Sequence, residues 1–223
     1  MEQMKRYAVY YAPRAGAFAD QAAAWLGYDV ATGRAVDQPD VGGLDVASIT
    51  QAPRKYGFHG TIRAPFRAVV GQEAVEDAVA GLARRLAPCV CEGLALENLH
   101  GFLALTPVGD VRGLRALAEE VVMATNPLRA ALNAAELAKR RPESLTPRQR
   151  ELLAEWGYPY VFEEFQFHLT LTDQLQNPVQ VAPLVAAHFA PVLPLPFVIE
   201  DLCLFGEDAV GKFHLLHRYA LTG

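Results

Sequence analysis

A short pattern, His-x-Thr followed by an aliphatic residue, occurs twice in this chain and constrains its fold most strongly. It lies in the segment 56–62, YGFHGTI, and again in the segment 165–171, FQFHLTL. Both segments are rich in aromatic and β-branched residues, which favours β-strands. Because side chains alternate between the two faces of a strand, each copy presents its histidine and its threonine on one polar face.

The same alternation predicts which neighbours share those polar faces. Arg63 follows Thr61 at a spacing of two on the first strand, and Gln166 precedes His168 at the same spacing on the second. Aromatic and aliphatic side chains occupy most of the alternate positions, so we expect the other face of each strand to be buried.

The similarity between the two copies extends beyond the motifs. Each motif is followed by a helical pattern and then by a strand pattern that ends in Glu-Asn-Leu or Glu-Asp-Leu, over residues 94–99 and 197–202. This repeated order indicates an internal duplication. Two related halves commonly pack around a pseudo-twofold axis, so we expect both polar faces to line one cleft.

The remaining patterns predict an α+β fold with two duplicated lobes, whose antiparallel sheets line a central cleft and whose helices lie outside. We expect a single bilobal domain over residues 1–223, with a helical insertion at 125–160. Residues 29–53 are rich in Gly, Asp and Pro, which predicts a long loop that is either a lid or an ordered surface excursion. The other expected elements are strands over 6–11 and 161–173 and helices over 15–26 and 178–189.

The insertion contains a clear helix start. Thr146 is followed by Pro147 and Gln149, the arrangement of an N-cap, a first-turn proline and a capping box. Gly157 predicts the end of this helix. The insertion also carries a set of cationic residues for which a solvated face is favoured over a phosphate-binding role: Lys139, Arg140, Arg141, Arg148 and Arg150.

The composition and hydropathy of the chain argue against DNA and membranes as binding partners. The net charge is −5, whereas proteins that bind DNA usually carry a basic surface. No hydrophobic run is long enough to span a bilayer, and no signal-peptide core follows the first residues. Cys89, Cys91 and Cys203 form neither a disulfide framework nor a zinc pattern. We therefore expect buried reduced thiols, a cytoplasmic location, and neither DNA nor a membrane as a partner.

The two motifs resemble those of the 2H phosphoesterase superfamily. Within it, segments 6–8 (RYA), 56–61 (YGFHGT), 157–160 (GYPY) and 167–171 (FHLTL) are similar to a branch assigned to phosphonate metabolism, the DUF1045-like proteins. The resemblance covers essentially the whole chain and implies a LigT-like fold and cyclic phosphodiesterase activity. Gly60 departs from that branch, in which alanine is expected at this position. Because residue 60 is predicted to face the apolar side of the strand, this departure has little bearing on the predicted site.

The residues of the motifs suit the hydrolysis of a cyclic phosphodiester. Histidine titrates near neutrality, so one imidazole can take a proton from water while the other gives a proton to the leaving oxygen. We therefore expect His59 and His168 to form the acid–base pair, and Thr61 and Thr170 to donate hydrogen bonds to phosphoryl oxygens. The scheme requires neither a metal nor a cofactor, and which histidine is the base stays open.

Several further residues are predicted to contact the substrate: Arg63, Tyr56, Tyr11, Tyr160 and Gln166. The alternatives are a rim ion pair for the arginine, core packing for the tyrosines and a solvated sheet position for the glutamine. The expected substrate is a small cyclic phosphate, either a ribose cyclic phosphate from phosphonate breakdown or a 2′,3′-cyclic nucleotide or RNA end. A phosphate-binding module without turnover is the alternative function. A histidine-based metal site is less favoured, because no carboxylate or cysteine accompanies either motif.

Overall fold

The structure, a computed structural model, describes residues 4–223 of the chain. Its strands are β1 (Arg6–Tyr11), β2 (Tyr28–Asp29), β3 (Arg34–Ala35), β4 (Gly60–Phe66), β5 (Cys89–Cys91), β6 (Gly93–Leu99), β7 (Phe102–Val108), β8 (Leu169–Thr170), β9 (Phe197–Ile199), β10 (Asp201–Glu207) and β11 (Phe213–Ala220). One antiparallel sheet has the strand order β11-β10-β1-β4-β8-β7-β6, and the short ladders β2–β3 and β5–β9 lie outside it.

The strands of the two His-x-Thr motifs are neighbours in this sheet. Gly60 of β4 pairs with Leu169 of β8. The predicted α+β class and the antiparallel sheets are confirmed, but this pairing joins the expected sheets of two lobes into one continuous sheet. The second motif strand is also shorter than the predicted 161–173, because Phe162–Glu164 forms a 3-10 turn ahead of β8.

The helices are α1 (Ala17–Leu26), α2 (Val46–Ile49), α3 (Gln51–Arg54), α4 (Gln72–Ala83), α5 (Arg112–Thr125), α6 (Ala134–Lys139), α7 (Pro147–Trp156) and α8 (Pro178–Phe189). Of these, α4, α5 and α8 pack against one face of the sheet and bury the main apolar core, to which Val79, Val121 and Val185 contribute. The opposite face carries a smaller apolar cluster around Tyr10 and Phe205, and part of that face is left open as a cleft.

Residues 29–53 contain more regular structure than the predicted long loop. They include β3, α2 and most of α3. Gln38 donates to the carbonyl of Trp25 at 2.7 Å, and Arg54 donates to the carbonyl of Leu26 at 2.8 Å, so the segment is tied to the end of α1. Helices of four residues are too short to give an amphipathic period, which is why the sequence pattern did not indicate them.

The insertion at 125–160 contains α6 and α7. The predicted capping box at α7 is confirmed: Thr146 accepts from the backbone N–H of Gln149, whose side chain accepts from the N–H of Thr146. Ahead of α7, the α-helical part of the insertion is confined to α6, where Asn133 and Glu136 form a second capping box. The insertion thus consists of two short capped helices beside the open face of the sheet.

Candidate active site

The pairing of Gly60 with Leu169 sets the two motifs in opposite directions around a common centre. One step along each antiparallel strand changes the face, so the flanking side chains project away from the main core. Directly opposed Cβ atoms lie about 4.5–5.5 Å apart in such a pair. The register therefore forms two cross-strand pairs: His59 with Thr170, and His168 with Thr61.

Both imidazoles are held in the same way by the backbone. The Nδ1 atom of His59 lies 2.8 Å from the carbonyl oxygen of Gly57, and Nδ1 of His168 lies 2.9 Å from the carbonyl oxygen of Gln166. A carbonyl oxygen only accepts, so Nδ1 carries the proton in each ring. The Nε2 atom of each neutral ring is then free to accept a proton.

Gly57 is required for the anchor of His59. Its φ angle is +70°, in the left-handed region that glycine adopts readily. A Cβ atom at this position would lie 2.6 Å from Cβ of Val30. A larger residue would therefore displace the carbonyl that orients the imidazole.

Aromatic side chains surround His59. The ring of Tyr10 stacks on the imidazole at a centroid distance of 4.0 Å and an interplanar angle of 26°, and the rings of Tyr56 and Phe205 lie at 5.8 and 6.5 Å. This burial lowers the pKa of His59 to about 4, against the opposing effect of the Gly57 hydrogen bond, and a charge on His168 lowers it further. His59 is therefore neutral at physiological pH.

His168 lies in a related but more open environment. Its ring is 5.6 Å from the ring of Phe102, and burial lowers its pKa below the usual range although the hydrogen bond to the Gln166 carbonyl opposes this. The mutual influence of the two imidazoles means that protonation of one disfavours protonation of the other. A single added proton thus goes preferentially to one member of the pair.

A cleft of about 1040 Å³ opens above the motifs. Its wall includes His59, Thr61, Thr170 and Phe102. A volume of this size is at the upper end of the range for small-molecule sites, about 300–1,000 Å³. The hydroxyls of the two motif threonines are therefore available to a ligand beside His59, whereas His168 is not among the residues that line the cleft.

Charged side chains from several separate parts of the chain reach the same cleft. Two arginines are neutralised within its wall: Nη2 of Arg6 lies 2.7 Å from Oε1 of Glu207, and Nε of Arg67 lies 2.9 Å from Oε1 of Glu136. Four further cations also line the cleft: Lys5, Lys55, Lys139 and Arg140. The cleft is thus cationic in a chain whose net charge is negative.

Arg63 lies away from the cleft, so the predicted shared face with Thr61 is wrong. Thr61 pairs with Tyr10, but Arg63 pairs with Val9, so two steps on β4 correspond to one step on β1. This β-bulge turns Arg63 to the helix-covered side of the sheet. Its side chain is buried, and Nη1 donates to the carbonyl of Trp156 at 3.1 Å.

Of the other predicted contact residues, Tyr56 lines the cleft and three do not. Tyr11 is buried in the main core, because it alternates with the cleft-facing residues of β1. Tyr160 is exposed and packs edge-on against Tyr158 at 5.6 Å. Gln166 points into a smaller hollow of about 500 Å³, although its carbonyl orients His168.

Sequence reasoning missed three aromatic residues of the cleft, one of which is Phe102, the neighbour of His168. Tyr10 stacks on His59, and Tyr158 lines the wall beside Arg140. Alternation along β1 could have identified Tyr10, since only one of the adjacent residues Tyr10 and Tyr11 can face the cleft. No comparable signal marked Tyr158, which reaches the cleft from an irregular segment after α7.

Between residues 4 and 223, no three His, Cys, Asp or Glu side chains converge closely enough to hold a metal ion. Within the same residues, every helix is too short or too polar to cross a bilayer. Cys89, Cys91 and Cys203 are buried and unpaired with one another in disulfides.

The fold and the cleft define an α+β protein with paired His-x-Thr strands beneath a cationic hollow. The chain belongs to the family described as "Protein of unknown function (DUF1045)", whose model matches residues 61–214. The resemblance of the sequence to DUF1045-like proteins is therefore confirmed.

Two curated relatives match nearly the whole chain. Both are called ribose 1,5-bisphosphate phosphokinase PhnN: the protein of Janthinobacterium sp. (strain Marseille) is 35% identical over 94% of the chain, and that of Laribacter hongkongensis (strain HLHK9) is 39% identical over 96%. The matched regions are 49% and 51% of those proteins. The chain thus spans about half the length of the curated relatives it matches.

Solved structures with a similar fold include one described as a phosphoesterase and E. coli LigT complexed with NADP+. Each is 16% identical and is matched over the full length of both chains, with TM-scores of 0.47 and 0.45.

Proposed function

We propose that this protein is a metal-independent phosphodiesterase that opens the cyclic phosphate of a ribose derivative. His59 and His168 act as the acid–base pair, and Thr61 and Thr170 bind the phosphoryl oxygens. The observation that carries the proposal is the Gly60–Leu169 register. It sets the two motifs beside each other, while the backbone carbonyls leave Nε2 of each imidazole free.

The proposed step transfers one proton in each direction. A water oxygen attacks phosphorus and its proton passes to Nε2 of one histidine. The bond between phosphorus and one ring oxygen breaks, and the other histidine gives its Nε2 proton to that oxygen. The products are a phosphomonoester and a free hydroxyl group, and exchange with solvent restores the two protonation states.

The environments of the two histidines favour one assignment of roles. His59 is stacked on Tyr10 and has the pKa of about 4, so it is neutral and suited to accept the proton of water. His168 lies in the more open position. A bound anionic phosphate raises its pKa, which suits it to act as the acid.

This assignment predicts an acidic optimum for kcat/KM. His59 must be neutral, so activity falls as the pH drops toward about 4. His168 must be protonated, and its pKa lies below the usual 6.5, so activity falls as the pH rises through that lowered value. A pH profile of kcat/KM should therefore peak below 6.5. A value that rises steadily from about pH 6 to pH 8 would contradict the assignment.

The relatives suggest which ribose phosphate is the substrate. Their name specifies a ribose with phosphates on O1 and O5. Hydrolysis of a 1,2-cyclic phosphate at its O2 side leaves a phosphate on O1. We infer that the chain produces a ribose with a phosphate on O1 by this reaction. A 2′,3′-cyclic nucleotide and an RNA end with a 2′,3′-cyclic phosphate are the comparison substrates.

The phosphokinase named for the relatives is less compatible with this chain. A P-loop requires G-x-x-x-x-G-K followed by Ser or Thr, between a strand and a helix. Segment 206–213, GEDAVGKF, approaches that pattern, but it ends in a buried phenylalanine and forms the hairpin between β10 and β11. No lysine of the chain is followed by Ser or Thr. We therefore assign the kinase reaction to the other half of those relatives.

Treatment with EDTA should leave turnover of a cyclic phosphate unchanged, because the proposed step uses only protein side chains. Initial rates are measured on dialysed protein with a panel of cyclic phosphates, with and without chelator. A metal-dependent phosphodiesterase in the same assay shows that the chelator is effective. Activity that disappears with EDTA and returns with a divalent metal would overturn the two-histidine mechanism.

A further inference from the structure

Among residues 4–223, four cations of the cleft wall have no carboxylate partner, and one of them, Lys5, donates to the backbone carbonyl of Ala209 instead. Within the same residues, the side chains of the other three make no hydrogen bond. These three are Lys55, Lys139 and Arg140. The neighbouring Arg6 and Arg67 are each paired with a glutamate on the same wall. Like charges that face one hollow repel one another unless an anion lies between them. Their arrangement therefore indicates an anionic ligand group.

Two of these cations are positioned by aromatic rings of the cleft. Nζ of Lys55 lies 4.8 Å from the ring centre of Tyr56, and the guanidinium carbon of Arg140 lies 4.8 Å from that of Tyr158. Tyr56 in turn lies 5.8 Å from His59. One aromatic ring therefore lies between Lys55 and His59, and Arg140 lies beside a different ring of the same wall.

The insertion that carries Lys139 and Arg140 is firmly attached to the body of the protein. Glu136 of α6 accepts hydrogen bonds from Nε and Nη2 of Arg67 at 2.9 and 3.0 Å. Arg63 donates to the carbonyl of Trp156 at the end of α7, where the helix dipole favours a positive charge. Arg63, which does not line the cleft, thus helps to hold the insertion beside the cleft.

We propose that Lys55, Lys139 and Arg140 form a second anion subsite, which binds a phosphomonoester at a distance from the cyclic phosphate. This inference rests on the proposed function and specifies its substrate class as a sugar with two phosphate groups. A phosphomonoester carries a charge of about −1.5 to −2 at pH 7, which suits several cations. The cleft of about 1040 Å³ provides room for both groups.

The test compares ribose 1,2-cyclic phosphate with and without a 5-phosphate. We expect the 5-phosphorylated compound to have the higher kcat/KM, and Arg140→Gln or Lys55→Gln to reduce this preference by about 10-fold to 100-fold, as expected for the loss of a charge-assisted contact. Arg148→Gln is the matched control: Arg148 lies on the same insertion but pairs with Glu151 and Glu163, so the preference should stay unchanged.

A binding measurement separates failure of the subsite from failure of the proposed function. Calorimetry with ribose 5-phosphate, which contains no diester, should show binding that weakens in Arg140→Gln even if no cyclic phosphate is hydrolysed. If cyclic phosphates are hydrolysed with no preference for the 5-phosphorylated compound, the proposed subsite is wrong, whereas the proposed phosphodiesterase activity is supported. A higher kcat/KM for a dinucleotide 2′,3′-cyclic phosphate would overturn the assignment to a sugar bisphosphate.

Discussion

Replacing either His59 or His168 with alanine should lower kcat/KM for a cyclic phosphate by about 10²–10⁴-fold, the range expected for the loss of a positioned acid or base. The two variants should differ in their pH profiles: loss of His59 removes the acidic limb, and loss of His168 removes the basic limb. The double variant should be little slower than the slower single variant, because the two groups act in one step. Steady-state kinetics across pH tests each of these statements.

Controls distinguish a chemical role from a structural one. His217 lies exposed on β11 next to Tyr219, and His217→Ala should retain full activity. Circular dichroism and thermal unfolding should show the native fold in both motif variants, since each imidazole makes one hydrogen bond to a nearby backbone carbonyl. A folded His168→Ala protein with activity close to that of the wild type would exclude the acid–base pair.

The central part of the site could be predicted because it depends on local patterns. Alternation along a strand places His59 with Thr61 and His168 with Thr170, whatever the rest of the fold does. The duplication then indicated that the two strands belong together. Their direct pairing through Gly60 was not predictable, since strand neighbours depend on contacts between residues that are distant in the chain.

The errors at Arg63 and Tyr11 have a common origin in strand register. A bulge on β4 shifts Arg63 to the other face without any marker in the sequence, because the extra residue is an ordinary isoleucine or arginine. Tyr10 and Tyr11 are chemically equivalent, and only the position of β1 between β4 and β10 decides which of them reaches the cleft. Local alternation is reliable only as far as the next irregularity.

The positions of the insertion's cations could be predicted only in part, for a related reason. Its capping box correctly predicted α7, because capping depends on a few adjacent residues. Which of its cations line the cleft depends on how α6 docks, and that is fixed by Glu136 and Arg67, which are far apart in the chain. Arg148 is indeed on the surface in ion pairs, whereas Lys139 and Arg140 line the cleft.

Gly60→Ala should destabilise the protein and reduce its activity. A Cβ atom at Gly60 would lie 2.1 Å from Cζ of Phe167, well inside the contact distance. Overpacking of this kind commonly costs about 1–3 kcal/mol. Because Phe167 precedes His168, movement of its ring also displaces that imidazole, so kcat/KM should fall more than the loss of stability alone explains. Urea unfolding and kinetics measure the two effects separately.

A second substitution should rescue this variant, since the clash involves the tip of one ring. Phe167→Leu removes Cζ and both Cε atoms, which are the atoms nearest to the new methyl group. The double variant should be more stable than the sum of the single effects by about 1–3 kcal/mol, the coupling typical of residues in contact. Gly71→Ala combined with Phe167→Leu is the control for this coupling. A Cβ atom at residue 71 meets no atom within 4 Å, so the effects of these two substitutions on the free energy of unfolding should simply add. If the effects of Gly60→Ala and Phe167→Leu on stability are strictly additive, the ring of Phe167 is not the reason that residue 60 is glycine. The family resemblance leads us to expect alanine at this position.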